Sequence, residues 1–261
     1  MKRKLIGLLA FCMMTAVFTG CLEVQKSDPY GLAGKTHSAV TPVDRPDVKW
    51  WMPRHEDVLE RVAQGNVDLI MVGDSITHGW EKGGKPVWEE YYAPRNAVNM
   101  GFGGDRTQHV LWRFDQGEID GIRPKLAVLM IGTNNSNGND NTAEEIADGI
   151  KAICAEIREK LPRTKILILA IFPRSDSSNR PPKGQNASFN PQWAKNNKAS
   201  ELASEIADGK MVFYLDINEK FLEENGELPR EIMPDLLHPN AKGYKIWAEA
   251  MEPTVKKLMG E

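Results

Sequence analysis

Residues 67–77 read Val-Asp-Leu-Ile-Met-Val-Gly-Asp-Ser-Ile-Thr, a mostly apolar run that ends at a glycine and then turns polar. A short apolar run of this kind predicts a buried β-strand. Gly73 permits a tight turn after the strand, which places the hydroxyl of Ser75 at the carboxyl end of that strand. The triplet Gly-Asp-Ser alone is a weak indication of chemistry, because Asp and Ser are also common helix-capping residues.

The same pattern recurs along the chain. Apolar runs predict buried strands at 67–72, 97–100, 126–131, 166–171 and 212–215. Amphipathic patterns predict helices at 54–63, 107–113, 143–160, 192–207 and 241–259. Strands that alternate with helices form parallel sheets with right-handed crossovers. The sequence therefore predicts an α/β fold, a three-layer α/β/α sandwich with a flavodoxin-like parallel sheet of about five strands.

A glycine-rich segment, Gly-Phe-Gly-Gly-Asp-Arg-Thr at 101–107, follows the second predicted strand. Ligands collect at the carboxyl ends of parallel strands, so we expect this loop to lie near Ser75. An exposed N–H at Gly104 can donate to a developing oxyanion. Two alternatives stay open: a strand-to-helix turn capped by Asp105, and a phosphate-binding loop, although the lysine of the Walker pattern is missing.

Asn134 lies in Gly-Thr-Asn-Asn at 132–135, directly after the third predicted strand. A side-chain amide at this edge of the sheet can donate to the same oxyanion. The alternative is an ordinary turn, for which Asn is well suited.

An acid and a histidine precede the last predicted helix, in Asp-Leu-Leu-His-Pro-Asn at 235–240. Residues three apart on a helical turn share one face, so Asp235 can bond to Nδ1 of His238 and leave Nε2 directed toward Ser75. This is the arrangement of base and orienting acid in a serine triad. A lone Asp-x-x-His pair is also compatible with an ordinary surface.

The four segments together resemble the four sequence blocks of the SGNH, or GDSL-type, hydrolases in order and spacing. The resemblance covers about residues 65–260. The segments at 103–113 (Gly-Gly-Asp-Arg-Thr-Gln-His-Val-Leu-Trp-Arg), 131–135 (Ile-Gly-Thr-Asn-Asn) and 142–146 (Thr-Ala-Glu-Glu-Ile) are similar to the catalytic subunits of the intracellular platelet-activating-factor acetylhydrolases.

That resemblance implies Ser75 as nucleophile, His238 as base and Asp235 as the partner of the base. It implies an oxyanion held by the Ser75 N–H, the Gly104 N–H and the Asn134 side chain, and it implies no metal and no organic cofactor. The expected reaction is hydrolysis of short acyl esters, with O-acetyl groups on carbohydrate as the favoured substrate. A lipid-directed acetylhydrolase or lysophospholipase is the alternative enzyme. A non-catalytic carbohydrate-binding lipoprotein is the alternative outside the enzymes, since fold does not fix function.

Residues 174–192 form a long polar segment after the fourth predicted strand. Long loops at this edge often determine specificity, so we expect Phe189, Asn190 or Trp193 to contact substrate. The alternative is a solvated insertion without a role. His78 follows Ser75 by about one helical turn and is expected at the rim of the site.

Trp50 and Trp51 precede the first predicted helix. Their aromatic faces are compatible with a platform on which a sugar stacks. The favoured interpretation is that the pair packs this helix onto the sheet.

The first 21 residues have a basic start, an apolar run without charge and then Thr-Gly-Cys. This pattern is typical of a secretory signal and resembles the lipobox of bacterial lipoproteins, although Phe18 stands where Leu is usual. We therefore expect a lipoprotein signal peptide at 1–21, lipid attachment at Cys21, a tether at 22–45 and the hydrolase domain at 46–261. The protein would be exported and anchored to a membrane, facing the periplasm or the cell surface. A secreted protein is the alternative.

The net charge of the chain does not favour nucleic acid as a partner. The net charge is −3, and the first 21 residues contribute +3, so the remainder has −6. An acidic chain gives no reason to expect nucleic acid as a partner. Cys154 lies among apolar residues at helical spacing and is expected in the core.

Overall fold

A computed structural model describes residues 28–261. The predicted signal peptide, Cys21 and the first part of the predicted tether lie outside these residues. None of the helices in residues 28–261 combines the length and the apolar character that a membrane crossing requires.

One parallel sheet lies at the centre of the described chain. Its strands are β1 (Leu69–Gly73), β2 (Ala97–Gly101), β3 (Leu126–Met130), β4 (Lys165–Leu169) and β5 (Val212–Leu215). Their order in the sheet is β2-β1-β3-β4-β5, which is the flavodoxin-like order. Gly73 of β1 lies opposite Gly101 of β2 and Met130 of β3, so the carboxyl ends of three strands share one edge. The predicted strands and fold class are confirmed.

The helices in residues 28–261 are α1 (Trp51–Ala63), α2 (Ser75–His78), α3 (Lys85–Tyr91), α4 (Thr107–Asp115), α5 (Ala143–Lys160), α6 (Pro191–Ser204) and α7 (Ala241–Met259). Two predicted helix starts are confirmed in atomic detail. Thr142 and Glu145 form a reciprocal capping box at α5, and the Asn240 side chain accepts from the N–H of Gly243 at α7. Helix α6 ends at Ser204, three residues before the predicted end.

The two faces of the sheet support separate apolar layers. Ile70 and Val72 of β1 pack into a core with α1, α4 and α5, whereas Leu69 and Met71 pack into a core with α3 and α7. This alternation follows from the pleat, which directs successive side chains to opposite faces. Cys154 of α5 is free and buried in the first core, as predicted, and burial raises the pKa of its thiol.

Residues 28–45, called the N-terminal arm below, differ from the tether that the sequence predicts. Ala39 is fully buried, and its carbonyl accepts a hydrogen bond from Thr107 Oγ1 at 2.7 Å. The Val43 N–H donates to the Gln108 carbonyl at 3.3 Å. The prediction of a tether is therefore wrong for this part of the arm, because it packs along α4 through backbone groups that composition does not show.

Candidate active site

Three predicted residues form one hydrogen-bonded chain at the carboxyl edge of the sheet. Ser75 Oγ lies 2.8 Å from His238 Nε2, and His238 Nδ1 lies 2.6 Å from Asp235 Oδ2. Partial burial would raise the pKa of Asp235, but hydrogen bonds from the side chain and backbone of His238 outweigh it and lower the pKa to about 2. The carboxylate therefore accepts from Nδ1–H, which leaves Nε2 as the acceptor for the Ser75 hydroxyl.

The position of Ser75 follows from the turn before it. A Cβ on Gly73 would lie 2.1 Å from Thr77 Oγ1 and 2.5 Å from the Met130 carbonyl, so only glycine fits between β1 and α2. Asp74 then caps α2, because its Oδ1 accepts from the N–H of Ile76 at 2.9 Å. Burial raises the pKa of Asp74 to about 7. This tight turn makes Ser75 the first residue of α2, which begins at the edge of the sheet.

The turn that contains Asp235 and His238 is not the helical turn that their spacing suggests. Leu236 has a φ of 59°, in the left-handed region that costs a residue other than glycine about 1–2 kcal/mol. Its side chain is fully buried in the second core, and its carbonyl accepts from the N–H of Ser175 at 2.9 Å. We infer that burial of this leucine holds the strained turn that directs His238 toward Ser75.

The glycine loop meets the site from the β2 side. Gly103 lines the same cavity as Ser75 and His238, and Gly104 follows it at a φ of 76°. Asn134 Nδ2 donates to the Asp105 carbonyl at 2.9 Å, which ties the loop after β3 to the loop after β2. A side-chain amide nitrogen has two hydrogens, so Nδ2 of Asn134 keeps a second hydrogen that this bond does not use.

His78 occupies the rim of the site, as the sequence predicts. It lines the cavity, and its Nδ1 accepts from the N–H of Gly103 at 3.3 Å. Burial, and then the positive charge of Arg54, lower the pKa of His78 to about 4. His78 is therefore neutral at physiological pH and acts as a hydrogen-bonding wall of the cavity.

The cavity beside Ser75 has a volume of about 740 Å³, and its wall is more apolar than polar, with a few charged side chains among aromatic, proline and glycine residues. Trp50, Arg54 and Asp57 enter it from α1, and Lys82 enters it from the segment after α2. The sequence motifs did not indicate Arg54, Asp57 or Lys82. Arg54 and Asp57 could have been identified from the helical spacing of residues 50, 54 and 57, which places these residues on one face of α1.

The two adjacent tryptophans have separate positions. Trp51 is fully buried, and its Nε1 donates to Asp105 Oδ1 at 2.7 Å, as expected of a packing residue. Trp50 leaves 43% of its surface exposed, and its ring centroid lies 5.8 Å from that of His78. Only Trp50 is therefore available to stack on a ligand in the cavity.

The residues expected to bind substrate in the 174–192 loop have other roles in the structure. Asn190 caps α6, since its Oδ1 accepts from the Trp193 N–H at 3.0 Å and its Nδ2 donates to the Arg174 carbonyl at 2.8 Å. Trp193 is buried in the second core. Phe189 is exposed but lines a different cavity from that of Ser75. We therefore leave all three out of the candidate site.

A network of buried charges lies beneath the glycine loop and was not predicted. It consists of His55, Asp105, Arg113 and Glu118, which we call the buried charge network. Arg113 Nε donates to Asp105 Oδ2 at 3.0 Å, and Arg113 Nη1 donates to Glu118. His55 Nδ1 lies 2.8 Å from Glu118 Oε1. The network fixes Asp105 from below, and with it the loop that borders the site.

His109 makes stability depend on pH. Its Nδ1 accepts from the Arg106 N–H at 2.9 Å at the start of α4. Burial, followed by the charges of Arg45 and Arg106, lowers the pKa of His109 from 6.5 to about 3. The unfolded chain then binds more protons than the folded one below pH 6.5, so stability falls as pH falls. We expect the free energy of unfolding to fall by about 1–2 kcal/mol between pH 7 and pH 5 because of this residue.

Urea unfolding of the wild type and of His109→Gln at both pH values measures this effect. Glutamine at this position can still complete a capping box but does not titrate. We expect a smaller loss of stability in the variant; an equal loss in both proteins would assign the pH dependence to other groups.

A protein-family model and several known proteins match this chain. A model of the GDSL-like lipase/acylhydrolase family matches residues 71–246. Human platelet-activating factor acetylhydrolase IB subunit alpha1 is 31% identical over 237 residues, which cover 88% of this chain and 94% of that protein. The rat alpha2 subunit is 32% identical over 233 residues, covering 87% of this chain and 94% of its own length. An acetyl-xylooligosaccharide esterase from Geobacillus shares the fold, with a TM-score of 0.56, 18% identity and coverage of 76% of this chain and 95% of its own. The chain therefore belongs to the GDSL-like lipase/acylhydrolase family.

Proposed function

We propose that the protein is a serine esterase that removes short acyl groups, chiefly acetyl groups, from carbohydrate. The observation that supports an esterase most directly is the chain of contacts from Asp235 through His238 to Ser75, which opens into a cavity. A hydroxyl is a weak nucleophile until an adjacent base accepts its proton. The same contacts argue against a non-catalytic binding module, which has no need of an oriented base.

The proposed reaction has two steps. His238 Nε2 takes the proton of Ser75 as Oγ attacks the ester carbonyl, and the resulting oxyanion is held by the Ser75 N–H, the Gly104 N–H and the Asn134 amide. His238 then returns the proton to the leaving alcohol, and an acyl group remains on Ser75. In the second step His238 accepts a proton from water, which attacks the acyl-enzyme. His238 then gives this proton to Ser75 Oγ as its bond to the acyl group breaks and the carboxylic acid leaves. Asp235 stabilises the imidazolium that forms twice in this cycle.

The walls of the cavity favour carbohydrate as the alcohol part of the substrate. Trp50 presents an exposed aromatic face, and the apolar face of a sugar ring can stack on such a surface. Asp57 and Lys82 provide hydrogen-bonding groups around it. A long acyl chain would instead require a continuous apolar groove beside Ser75, and Arg54, Asp57 and Lys82 place charges within the wall of this cavity. Export, predicted from the first 21 residues, would also bring the enzyme to extracellular polysaccharide.

A lipid-directed acetylhydrolase is the second candidate. The observation that favours it is the similarity to the platelet-activating factor acetylhydrolase subunits over most of both chains. An acetyl ester on a lipid needs little more room at Ser75 than an acetyl ester on a sugar. The two candidates differ in what binds against Trp50.

Substitution of Trp50 separates the candidates. We compare wild type and Trp50→Ala on 4-nitrophenyl acetate, 4-nitrophenyl octanoate and an acetylated xylo-oligosaccharide. We expect acetate to be cleaved faster than octanoate. We expect Trp50→Ala to raise the KM for the oligosaccharide about tenfold, because a stacked ring and its buried area are lost, and to change the KM for nitrophenyl acetate less.

Phe189→Ala is the matched control, since Phe189 is an exposed aromatic residue at a different cavity. Its kinetics on all three esters should equal those of the wild type. Preference for octanoate, together with no effect of Trp50→Ala on the oligosaccharide, would contradict the carbohydrate proposal and favour lipid. No hydrolysis of any ester would favour the binding module.

A further inference from the structure

One residue of the N-terminal arm reaches the loop that borders the active site. Arg45 Nη1 donates to the Gly103 carbonyl at 2.6 Å and to Asp105 Oδ1 at 3.1 Å. The Arg45 side chain is 19% exposed, whereas that of Asp105 is fully buried. The guanidinium therefore lies over the glycine loop and connects its carbonyl to the buried charge network.

The contact with the Gly103 carbonyl determines where the next N–H points. The carbonyl of Gly103 and the N–H of Gly104 belong to one planar peptide unit, and in a trans unit they point in opposite directions. A donor that holds the carbonyl on one side thus directs the N–H to the other side. Hydrogen bonding to the carbonyl also polarises the unit, which makes its N–H a stronger donor.

The backbone conformation of Gly104 does not by itself fix the orientation of the Gly103–Gly104 peptide, so neighbouring groups must hold it. Its φ of 76° is accessible to glycine at little cost, so the residue itself does not fix one orientation. The space beside it is occupied by Arg45, because a Cβ on Gly104 would lie 3.0 Å from Arg45 Nη2. On the other side of the same loop, the Gly103 N–H donates to His78 Nδ1 at 3.3 Å. The loop is therefore held between Arg45 and a wall of the cavity.

The arm itself is fixed to the domain at several points. Asn141 Nδ2 donates to Ser38 Oγ at 3.0 Å, and Thr107 Oγ1 donates to the Ala39 carbonyl at 2.7 Å. Lys35 forms an ion pair with Asp148 at 2.9 Å. The arm thus delivers Arg45 to the loop from a defined position.

We propose that Arg45 is a positioning residue for ester hydrolysis, which fixes the Gly103–Gly104 peptide so that the Gly104 N–H faces the oxyanion formed at Ser75. The proposal rests on the esterase function proposed above, since it assigns a role within that reaction. Arg45 contacts no reacting atom and acts through the peptide. Arg45 therefore stabilises the transition state, in which the oxyanion exists, and does not affect binding of the neutral ester.

The test compares Arg45→Ala and Arg45→Lys with the wild type on 4-nitrophenyl acetate, with active sites titrated by an organophosphate. We expect kcat per active site to fall about 10- to 100-fold in Arg45→Ala, because a shift of the donor by about 1 Å has an effect of this size. KM should stay within about twofold of the wild-type value. Arg45→Lys should lose less, because an ammonium can still donate to the carbonyl. Added guanidinium, below concentrations that unfold the protein, should restore part of kcat in Arg45→Ala and none in Arg45→Lys.

Lys49→Met is the matched control, since it removes an exposed cation near Arg45 that forms no hydrogen bond or ion pair within residues 28–261, and its kcat should equal that of the wild type. An unchanged kcat per active site in folded Arg45→Ala would overturn the proposal, and so would a loss of kcat that guanidinium does not restore. If Arg45→Ala does not fold, Arg45→Met takes its place, and a kcat per active site equal to that of the wild type in this folded variant would overturn the proposal. Ser75→Ala is run alongside: activity that survives in this variant contradicts the esterase mechanism itself, and the role of Arg45 falls with it.

Discussion

Ser75→Ala is expected to lower kcat for 4-nitrophenyl acetate by about 10⁵-fold, since loss of the nucleophile from a serine triad has an effect of this order. The variant keeps its cavity, so KM should change little. The hydroxyl of Ser75 lies at hydrogen-bonding distance from His238 and in the wall of the cavity, and alanine removes the only atom that the proposed mechanism makes covalent with substrate. Initial rates at several substrate concentrations measure both constants.

Ser177→Ala serves as the control, because Ser177 is exposed in the loop after β4 and lies outside the candidate site. It should leave both constants unchanged. A loss smaller than about 100-fold in Ser75→Ala would mean that hydrolysis does not depend on a covalent step at this residue.

Arg113→Met is expected to lower the free energy of unfolding by about 3–5 kcal/mol, the usual effect of removing one partner from a buried ion pair. The guanidinium is fully buried between two carboxylates that are themselves fully buried, Asp105 and Glu118. It also lies over the ring of Phe102, 3.9 Å from its centroid. Methionine fills much of the same volume, but it removes the cation that the two buried carboxylates share, and leaves Asp105 with Arg45 and Glu118 with His55 as their remaining partners. Urea unfolding followed by circular dichroism measures the difference.

Lys198→Met provides the comparison at the surface, where the Lys198–Glu201 pair is exposed on both sides. This variant should lose less than about 1 kcal/mol. If Arg113→Met were as stable as Lys198→Met, the ion pairs of Arg113 in the buried charge network would contribute nothing to stability.

Strands β1 and β3, and most of β2 and β4, could be predicted from the sequence because their residues are buried on both faces. A strand such as β1 then has a nearly continuous apolar run, which few other structures produce. The helix start at Thr142 and Glu145 was also predictable, because a capping box depends on residues three apart and on nothing else in the fold. The positions of Ser75 and Asn134 after their strands followed from the same local patterns.

Other features depend on contacts between distant segments and left no local pattern. The N-terminal arm is polar and rich in small residues, and its attachment to α4 uses the Ala39 carbonyl and the Val43 N–H, which every residue possesses. Asn190 is a polar residue after a strand, a description that fits a cap as well as a ligand-binding residue. The left-handed conformation of Leu236 is stabilised by burial in a core that forms only when the chain is folded.

The contact between Arg45 and the glycine loop could not be predicted from the sequence either. An arginine in a polar segment is expected at the surface, and its partner, the Gly103 carbonyl, is more than fifty residues away. The shared face of Trp50, Arg54 and Asp57 could have been predicted from their spacing, because a helix that starts at residue 51 places them on one side. The helix predicted from the sequence begins at residue 54, so it does not include this face.

Covalent labelling of Ser75 tests the central claim most directly. The intact protein is treated with diethyl 4-nitrophenyl phosphate, whose nitrophenolate is displaced when Ser75 Oγ forms a bond to phosphorus. Peptide mass spectrometry then locates the diethylphosphoryl group. We expect one group per chain, on Ser75, with parallel loss of ester hydrolysis and no label in Ser75→Ala. A label on another residue that abolishes activity, or full activity in a protein that takes up no label, would contradict it.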